Sequence, residues 1–399
     1  NGESFAYVYQ VDDPSPDDET DVLVRIYEDG AWSEPAAIDV GLNFQLQDAR
    51  IASNGAGYLV AWTQATSESF RDRRTFGSLY EDGTWSMPVT LSDGVADSTQ
   101  SPFIASNGVG YAVTWDDFRS DEVQVNVYDG SAWSGARTLL APRGRQARPR
   151  VVSDGTGYMV TWRYRGPTDQ YENLYVSLST TGAVDDFSES TRVTEDVERR
   201  MFPIRVVGGA AGYAVAWNTN VPSTSSPLDA VALVWDGSTF SDPLPIESVE
   251  ADAFVSGLAA NDSGFAVLLE SRDSIEAPNP RTLSATVYAN GAWQENVALE
   301  DSDQPLGDDP FLRSRDITAS DDSYAISWSE RGNDDRFHIR FSRFDGTSWN
   351  TRQIEEQAAN ADAVQIGANA DGTFTVMWRQ ADPNGSPLVR LPWAYHGLE

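Results

Sequence analysis

One group of side chains in the middle of the chain suits a single piece of chemistry, the capture of an oxyanion. Arg143, Arg145, Arg148 and Arg150 come from one stretch, Arg163, Tyr164 and Arg165 from the next, and Arg199, Arg200 and Arg205 from a third. A guanidinium is planar, stays charged at ordinary pH and offers paired N–H donors that match a carboxylate or a sulfate. In a chain with 28 basic residues against 61 acidic ones, this cluster stands out by its sign. The chemistry it offers is recognition of an anionic glycan, such as a uronic or sulfated polysaccharide. A competing reading pairs the same arginines with nearby acids such as Glu195, Asp196 and Glu198, so that the charges cancel.

Other residues could carry catalysis. Asp116, Asp117, Glu270, Asp273, Glu330 and Asp334 could be assembled into the carboxylate pairs that glycoside hydrolysis uses. In a chain this acidic, pairs also arise by chance. Tyr164 and Tyr171 lie among the arginines and could act as general acid or base in a β-elimination beside a charge-neutralising guanidinium. The two histidines, His338 and His396, have no partner at a diagnostic spacing. No Gly-x-Ser-x-Gly elbow, phosphate-cradling loop or His-Glu-x-x-His pair is present. The acidic run Asp12, Asp13, Asp17, Asp18, Glu19 and Asp21, with Asp308 and Asp309, offers oxygen ligands of the kind calcium takes. It lacks the regular Asp-x-Asp-x-Asp-Gly loop, so a solvated acidic surface accounts for it better, and no cofactor or bound metal is expected.

Composition limits the partners. A formal charge of −33 repels phosphate, which excludes a general nucleic-acid or anionic-membrane binder. No apolar run approaches the ~18 residues that span a bilayer. All the basic residues are arginine, a pattern met in salt-adapted, GC-rich organisms and equally produced by codon bias. The absence of Cys removes disulfides, cysteine–zinc sites and thiol catalysis together. The expectation is an exported protein, extracellular or at the cell surface with the periplasm as the alternative, and a monomer or a module of a larger chain.

The elements that position these residues are written as a repeat. Ile51 to Trp62 reads IASNGAGYLVAW: a short strand of small residues, an Asn-Gly turn, then a strand ending in Trp. Copies run from Phe103 to Trp115, Val151 to Trp162 and Val206 to Trp217, with weaker ones at Leu258 to Leu269, Ile317 to Trp328 and Ile366 to Trp378. Asn1 to Tyr9 matches the second half of one more. A second signature follows each by about 20 residues, as in Tyr27 to Trp32, Tyr80 to Trp85, Tyr128 to Trp133 and Tyr288 to Trp293, where Asp-Gly or Asn-Gly turns the chain between strands.

One unit is therefore four strands, typified by A (Arg50 to Ser53), B (Tyr58 to Trp62), C (Thr75 to Tyr80) and D (Trp85 to Leu91). A–B and C–D links are tight, whereas B–C and D–A links are long and variable. The predicted fold is all-β, a β-propeller of four-stranded antiparallel blades forming one domain over residues 1–399. Eight repeats use every copy, with an A strand missing at the start and a D strand missing after Pro387 to Leu391; a seven-bladed closure is the alternative. Trp at fixed strand ends is expected to pack between blades. The long loops, and the arginines in them, are expected on one working face.

The doublet S-[ND]-G-x-G-Y-x-V-x-W and Y-x-D-G-x-W resembles the repeats of secreted bacterial β-propeller proteins over nearly the whole chain. The Asp-Gly turn followed by an aromatic is distantly similar to sialidase and fucose-lectin propellers, although the Asp-box spacing is not met and no sialidase arginine triad with its Tyr-Glu pair can be assembled. The resemblance implies the fold. For function three expectations stand: a binding module presenting arginines to an anionic glycan or surface partner, a lyase or glycoside hydrolase on acidic polysaccharide, or a structural and adhesive domain of a larger surface protein.

Overall fold

The computed structural model describes residues 4–12, 20–28, 31–39, 46–67, 72–92, 99–117, 120, 122–139, 145–166, 172–194, 200–220, 229–246, 252–272, 281–299, 314–331, 336–354, 361–368, 372–381 and 390–398. The chain divides into two compact units, Asn1–Val197 and Glu198–Glu399. Each holds four antiparallel sheets whose strands follow chain order, which is the blade of a β-propeller. Among the described residues the one helical element is a 3₁₀ turn at Val184–Asp186, and no helix is long and apolar enough to cross a membrane.

In the first unit, the second repeat sets the pattern: A is Leu46–Ser53, B is Tyr58–Ala65, C is Arg73–Glu81 and D is split into Thr84–Trp85 and Val89–Thr90. The third repeat runs Thr99–Ser106, Tyr111–Asp117, Glu122–Tyr128 and Arg137–Leu139; the fourth runs Arg145–Ser153, Tyr158–Arg165, Asn173–Ser179 and Thr191–Arg192. The first repeat supplies B, C and a split D from Phe5–Asp12, Thr20–Glu28, Ala31–Trp32 and Ala36–Ala37. In the second unit, the fifth and sixth repeats begin with A strands Arg200–Gly209 and Asp252–Ala260. The seventh runs Arg315–Ala319, Tyr324–Arg331, Phe337–Phe344 and Trp349–Gln353, and the eighth Ala361–Ala368, Phe374–Ala381 and Arg390–Leu398.

Each core lies between consecutive sheets. Val22 and Val24 from the first sheet close on Val60 and Trp62 of the second, and Leu59, Ala61 and Leu91 of the second close on Tyr111, Val113 and Trp115 of the third. The strand-B aromatics at the repeat's end, Trp62, Trp115, Trp162, Trp217, Trp328 and Trp378, are all buried, as expected of packing residues. Removing one such ring typically costs about 3–5 kcal/mol. The aromatics of the first D segment pack instead at a tilt against the end of strand C, with ring centroids 5.4 Å apart for Tyr27 and Trp32 and 5.1 Å for Tyr80 and Trp85.

The A–B turn is fixed by its own side chains. Asn54 Oδ1 accepts from the amides of Ala56 and Gly57 at 3.0 and 2.7 Å, while Gly55 takes φ +87°, a conformation that only glycine adopts without strain. The same residue ties neighbouring repeats, since Asn54 Nδ2 donates to the Val109 carbonyl at 3.0 Å and Asn107 Nδ2 to that of Thr156 at 3.1 Å.

Three boundaries differ from the sequence expectation. Strand A begins several residues earlier than Arg50, because a one-residue bulge between Gln47 and Arg50 lets the ladder continue beyond it. Strand D is interrupted, and in five repeats a serine after the aromatic bonds back to strand C at the break: Ser86 Oγ accepts from Leu79 N at 3.0 Å, and Ser33, Ser134, Ser188 and Ser241 repeat this at 3.0, 3.1, 3.1 and 3.0 Å, while the sixth repeat breaks with Gln294 there. The last C strand, described over Arg390–Leu398, runs on past the expected end at Leu391 and pairs Trp393 in register with Trp378.

Candidate functional site

In the first unit, the A strands of repeats two, three and four lie side by side. In each, one residue pairs with the position just before the strand-B Trp: Arg50 with Ala61, Phe103 with Thr114, and Arg150 with Thr161. Each follows a bulge, so the same local kink aims three neighbouring side chains from adjacent repeats. The bulges are linked: Ser101 Oγ donates to Asp48 Oδ2 at 3.0 Å, and these two residues hold φ of 43° and 55°.

The result is a clasp. The Arg50 guanidinium carbon lies 4.6 Å from the Phe103 ring centroid and that of Arg150 lies 3.9 Å from it. Cation–π attraction of about 0.5–1 kcal/mol per contact holds each at this partly exposed position. The two charges are then at most 8.5 Å apart, the sum of the two distances. Their repulsion at that separation is about 0.5 kcal/mol in water and about 2 kcal/mol at an effective dielectric of 20. An anion bound beside both relieves this term and gains charge-assisted hydrogen bonds as well.

The sequence-expected residues divide. Arg150 is half-buried, belongs to the clasp and makes further contacts. Arg163 forms an ion pair with Glu172 at 3.1 Å, as the charge-cancelling reading predicts. Tyr164 is 1% exposed, its ring edge-on to Tyr175 at 5.5 Å, so it serves the core and is not presented to a ligand. Arg165 is exposed at the end of strand B, paired in register with Arg145. The side chains of Arg145, Arg148 and Arg200, and the residues Arg143, Arg199 and Tyr171, lie outside what the structure describes. Arg205 belongs to the second unit, where it is half-buried and acts electrostatically on Asp316. Burial pushes the Asp316 carboxyl above the usual carboxylate range, opposed by hydrogen bonds from the Ile366 and Ile317 amides and by the charge of Arg205.

Sequence reading missed Arg50 and Phe103. The available signal was their place in the repeat, one residue before Ile51, Ile104, Val151 and Val206, where Arg150 and Arg205 also stand.

Of the carboxylates proposed for hydrolysis, Asp117 is buried and accepts from the Ser120 amide at 3.1 Å, Asp116 is half-buried, and two others form ion pairs. Glu270, 2% exposed, pairs with Arg315, and Glu330 pairs with Arg340 at 3.2 Å. His338 Nδ1 sits 3.2 Å from Gln353 Nε2 on the outer strands of the seventh repeat. Asp273 and Asp334 lie outside the described residues, as do Asp13, Asp17, Asp18, Glu19, Asp308 and Asp309 of the acidic loops. Among the described residues no three carboxylates or histidines are placed to share one metal ion.

No family model and no curated protein matches the chain. Solved structures do. The β-propeller domain of the Trilobed protease from Pyrococcus furiosus is 10% identical, covering 89% of this chain and 94% of its own at a TM-score of 0.48. A prolyl endopeptidase structure is 10% identical at a TM-score of 0.49, and the chain spans only 54% of it. An ulvan lyase of a polysaccharide-lyase family, bound to a glucuronate–sulfated rhamnose unit, is 13% identical over 89% of this chain and 92% of its own at a TM-score of 0.50. At these identities the likeness is one of fold.

Proposed function

We propose that the chain is a binding module for an anionic polysaccharide, which it engages through Arg50 and Arg150. The observation that carries this reading is the clasp: two guanidiniums held on one phenylalanine ring in a chain of formal charge −33. Stacking fixes the plane of a guanidinium, and its fork geometry matches a carboxylate or sulfate. The neighbouring Arg143, Arg145, Arg148 and Arg165 extend the cationic stretch along the same repeat and would meet further charges of a polymer. Arg199, Arg200 and Arg205 are a separate contribution from the second unit. An acidic, cysteine-free chain of this kind is suited to work outside the cell, on a free polysaccharide or a surface that carries one. Catalysis is not part of the proposal, since Tyr164 is buried and Glu270 and Glu330 are in ion pairs.

Affinity electrophoresis through gels containing ulvan, alginate or neutral dextran tests this. The protein is expected to be retarded by a uronic or sulfated polymer and not by dextran, and R50A/R150A to lose at least about tenfold in affinity. Equal mobility of wild type and variant in every gel would remove the proposal. Growth of unsaturated-product absorbance during incubation with these polymers would replace it with a lyase.

A further inference from the structure

The seventh repeat departs from the others on one face of its outer strand pair. Arg343 pairs with Ala325, one position beyond the Tyr324–Phe344 pair. The residues at that ladder position in the first six repeats are Ile26, Leu79, Val127, Leu178, Val234 and Val287, while the eighth pairs Thr375 with His396 across a register shift. Six repeats place an apolar residue there, and this repeat supplies a charge. Strand D changes with it. Asn350 stands where the first five repeats carry a serine and the sixth Gln294, and Trp349–Gln353 runs unbroken, pairing Asn350 with Arg343 and Arg352 with Phe341.

Directly paired residues and their alternates share a sheet face. Phe341, Arg343, Asn350 and Arg352 therefore point the same way, and with Asp322 and Ser323 they line a cleft of about 430 Å3. That lies within the range of small-ligand pockets, about 300–1,000 Å3. Arg343 Nε donates to Ser323 Oγ at 3.1 Å, and the Arg352 guanidinium lies 5.5 Å from the Phe341 ring centroid. Among the described residues neither has a carboxylate at ion-pair distance. The contrast is Arg137, at the ladder position of Arg352 in the third repeat, whose guanidinium is taken up by the carbonyls of Val184 and Phe187.

The acceptors in the cleft are distributed unequally. Asp345 is occupied by the amides of Thr347 and Ser348, at 2.9 and 2.8 Å, and by Asn350 Nδ2 at 2.9 Å. That leaves Asn350 Oδ1 and the Asp322 carboxylate beside the two guanidiniums. A bare anion meets repulsion from Asp322, whereas a polyhydroxylated acid can use both kinds of group. We propose that this cleft binds one acidic sugar unit, with its carboxylate or sulfate between Arg343 and Arg352 and its hydroxyls on Asp322 and Asn350. The site uses other residues in another unit than the clasp and does not depend on it.

Calorimetric titration with D-glucuronate, D-glucose and sodium sulfate tests the assignment. R343L installs the residue of repeats two and four, and R352V that of Val89 and Val297. Glucuronate should bind the wild type more tightly than glucose or sulfate, and each variant should weaken it at least about tenfold. R343L should unfold at the same or a higher temperature, so the loss is not one of folding; if it misfolds, R352V decides by the same readings. In the R50A/R150A background, which removes the clasp, R343L and R352V should still each weaken glucuronate binding at least about tenfold. The proposal is overturned if R343L and R352V bind glucuronate unchanged, if glucose or sulfate binds as tightly, or if R50A/R150A abolishes the binding.

Discussion

Gly110 gives the sharpest stability test of the repeat geometry. It ends the A–B turn of the third repeat, and a Cβ built there would sit 1.9 Å from the Tyr128 carbonyl oxygen, about 1.1 Å inside the 3.0 Å limit for such contacts. That oxygen belongs to backbone, in the strand pair that joins Tyr111 to Tyr128, so relief requires moving the end of strand C. Gly110→Ala should therefore weaken one ladder hydrogen bond, worth about 1 kcal/mol, and add overpacking strain of about 1–3 kcal/mol. The alanine lowers the entropy of the unfolded chain and returns about 0.4–1 kcal/mol. The net expectation is a loss of about 2–3 kcal/mol. Gly367→Ala is the control: nothing lies within 4 Å of its Cβ, so it should be neutral within about 0.5 kcal/mol. Ser4, Ser323 and Thr373 occupy the matching position in three repeats, which shows that a strand end built for a Cβ accommodates one and keeps the expected loss moderate. Urea unfolding followed by tryptophan fluorescence reads both variants. Equal midpoints for G110A and G367A would refute the close-approach argument.

Asp316 sets a pH dependence. Its carboxyl titrates above the ordinary value because of burial, so the native state holds this proton more tightly than the unfolded chain. Stability from this group is full below the unfolded value and declines as pH rises through the raised one. Thermal unfolding across pH 4–7 should show that decline in the wild type and a flatter curve in D316N; matching curves would contradict it. Glu270→Ala strands Arg315 beside a buried site and should cost about 2–4 kcal/mol, discounted for the partial exposure of the arginine. Urea denaturation reads that loss, and a change under 1 kcal/mol would show the pair to be dispensable.

Much of the fold was legible because the repeat is redundant. The Trp register and the Asn-Gly turns recur often enough that single degenerate copies, such as the one ending in Leu269, do not hide the period. Strand D was misjudged because its aromatic and apolar residues read as one strand, while the chain leaves the ladder after the aromatic, where in five repeats a serine hydroxyl bonds to strand C, as Ser86 does to Leu79. The bulge before Arg50 was equally invisible, since nothing in Gln47 to Ala49 signals an extra residue opposite Trp62. For the site, charge pointed to the arginine-rich stretch but could not separate Arg163, neutralised by Glu172, from Arg150, stacked on Phe103. Phe103 carries no charge and sits where three repeats have arginine, so only the packing of adjacent A strands gives it a role.

The clasp itself is tested most directly by following arginine side-chain Nε–H resonances while a uronic or sulfated oligosaccharide is titrated in. The Arg50 and Arg150 signals, assigned from R50K and R150K, should shift saturably and together, and neutral dextran oligomers should leave them in place. Saturable binding that leaves both signals unmoved would contradict the account.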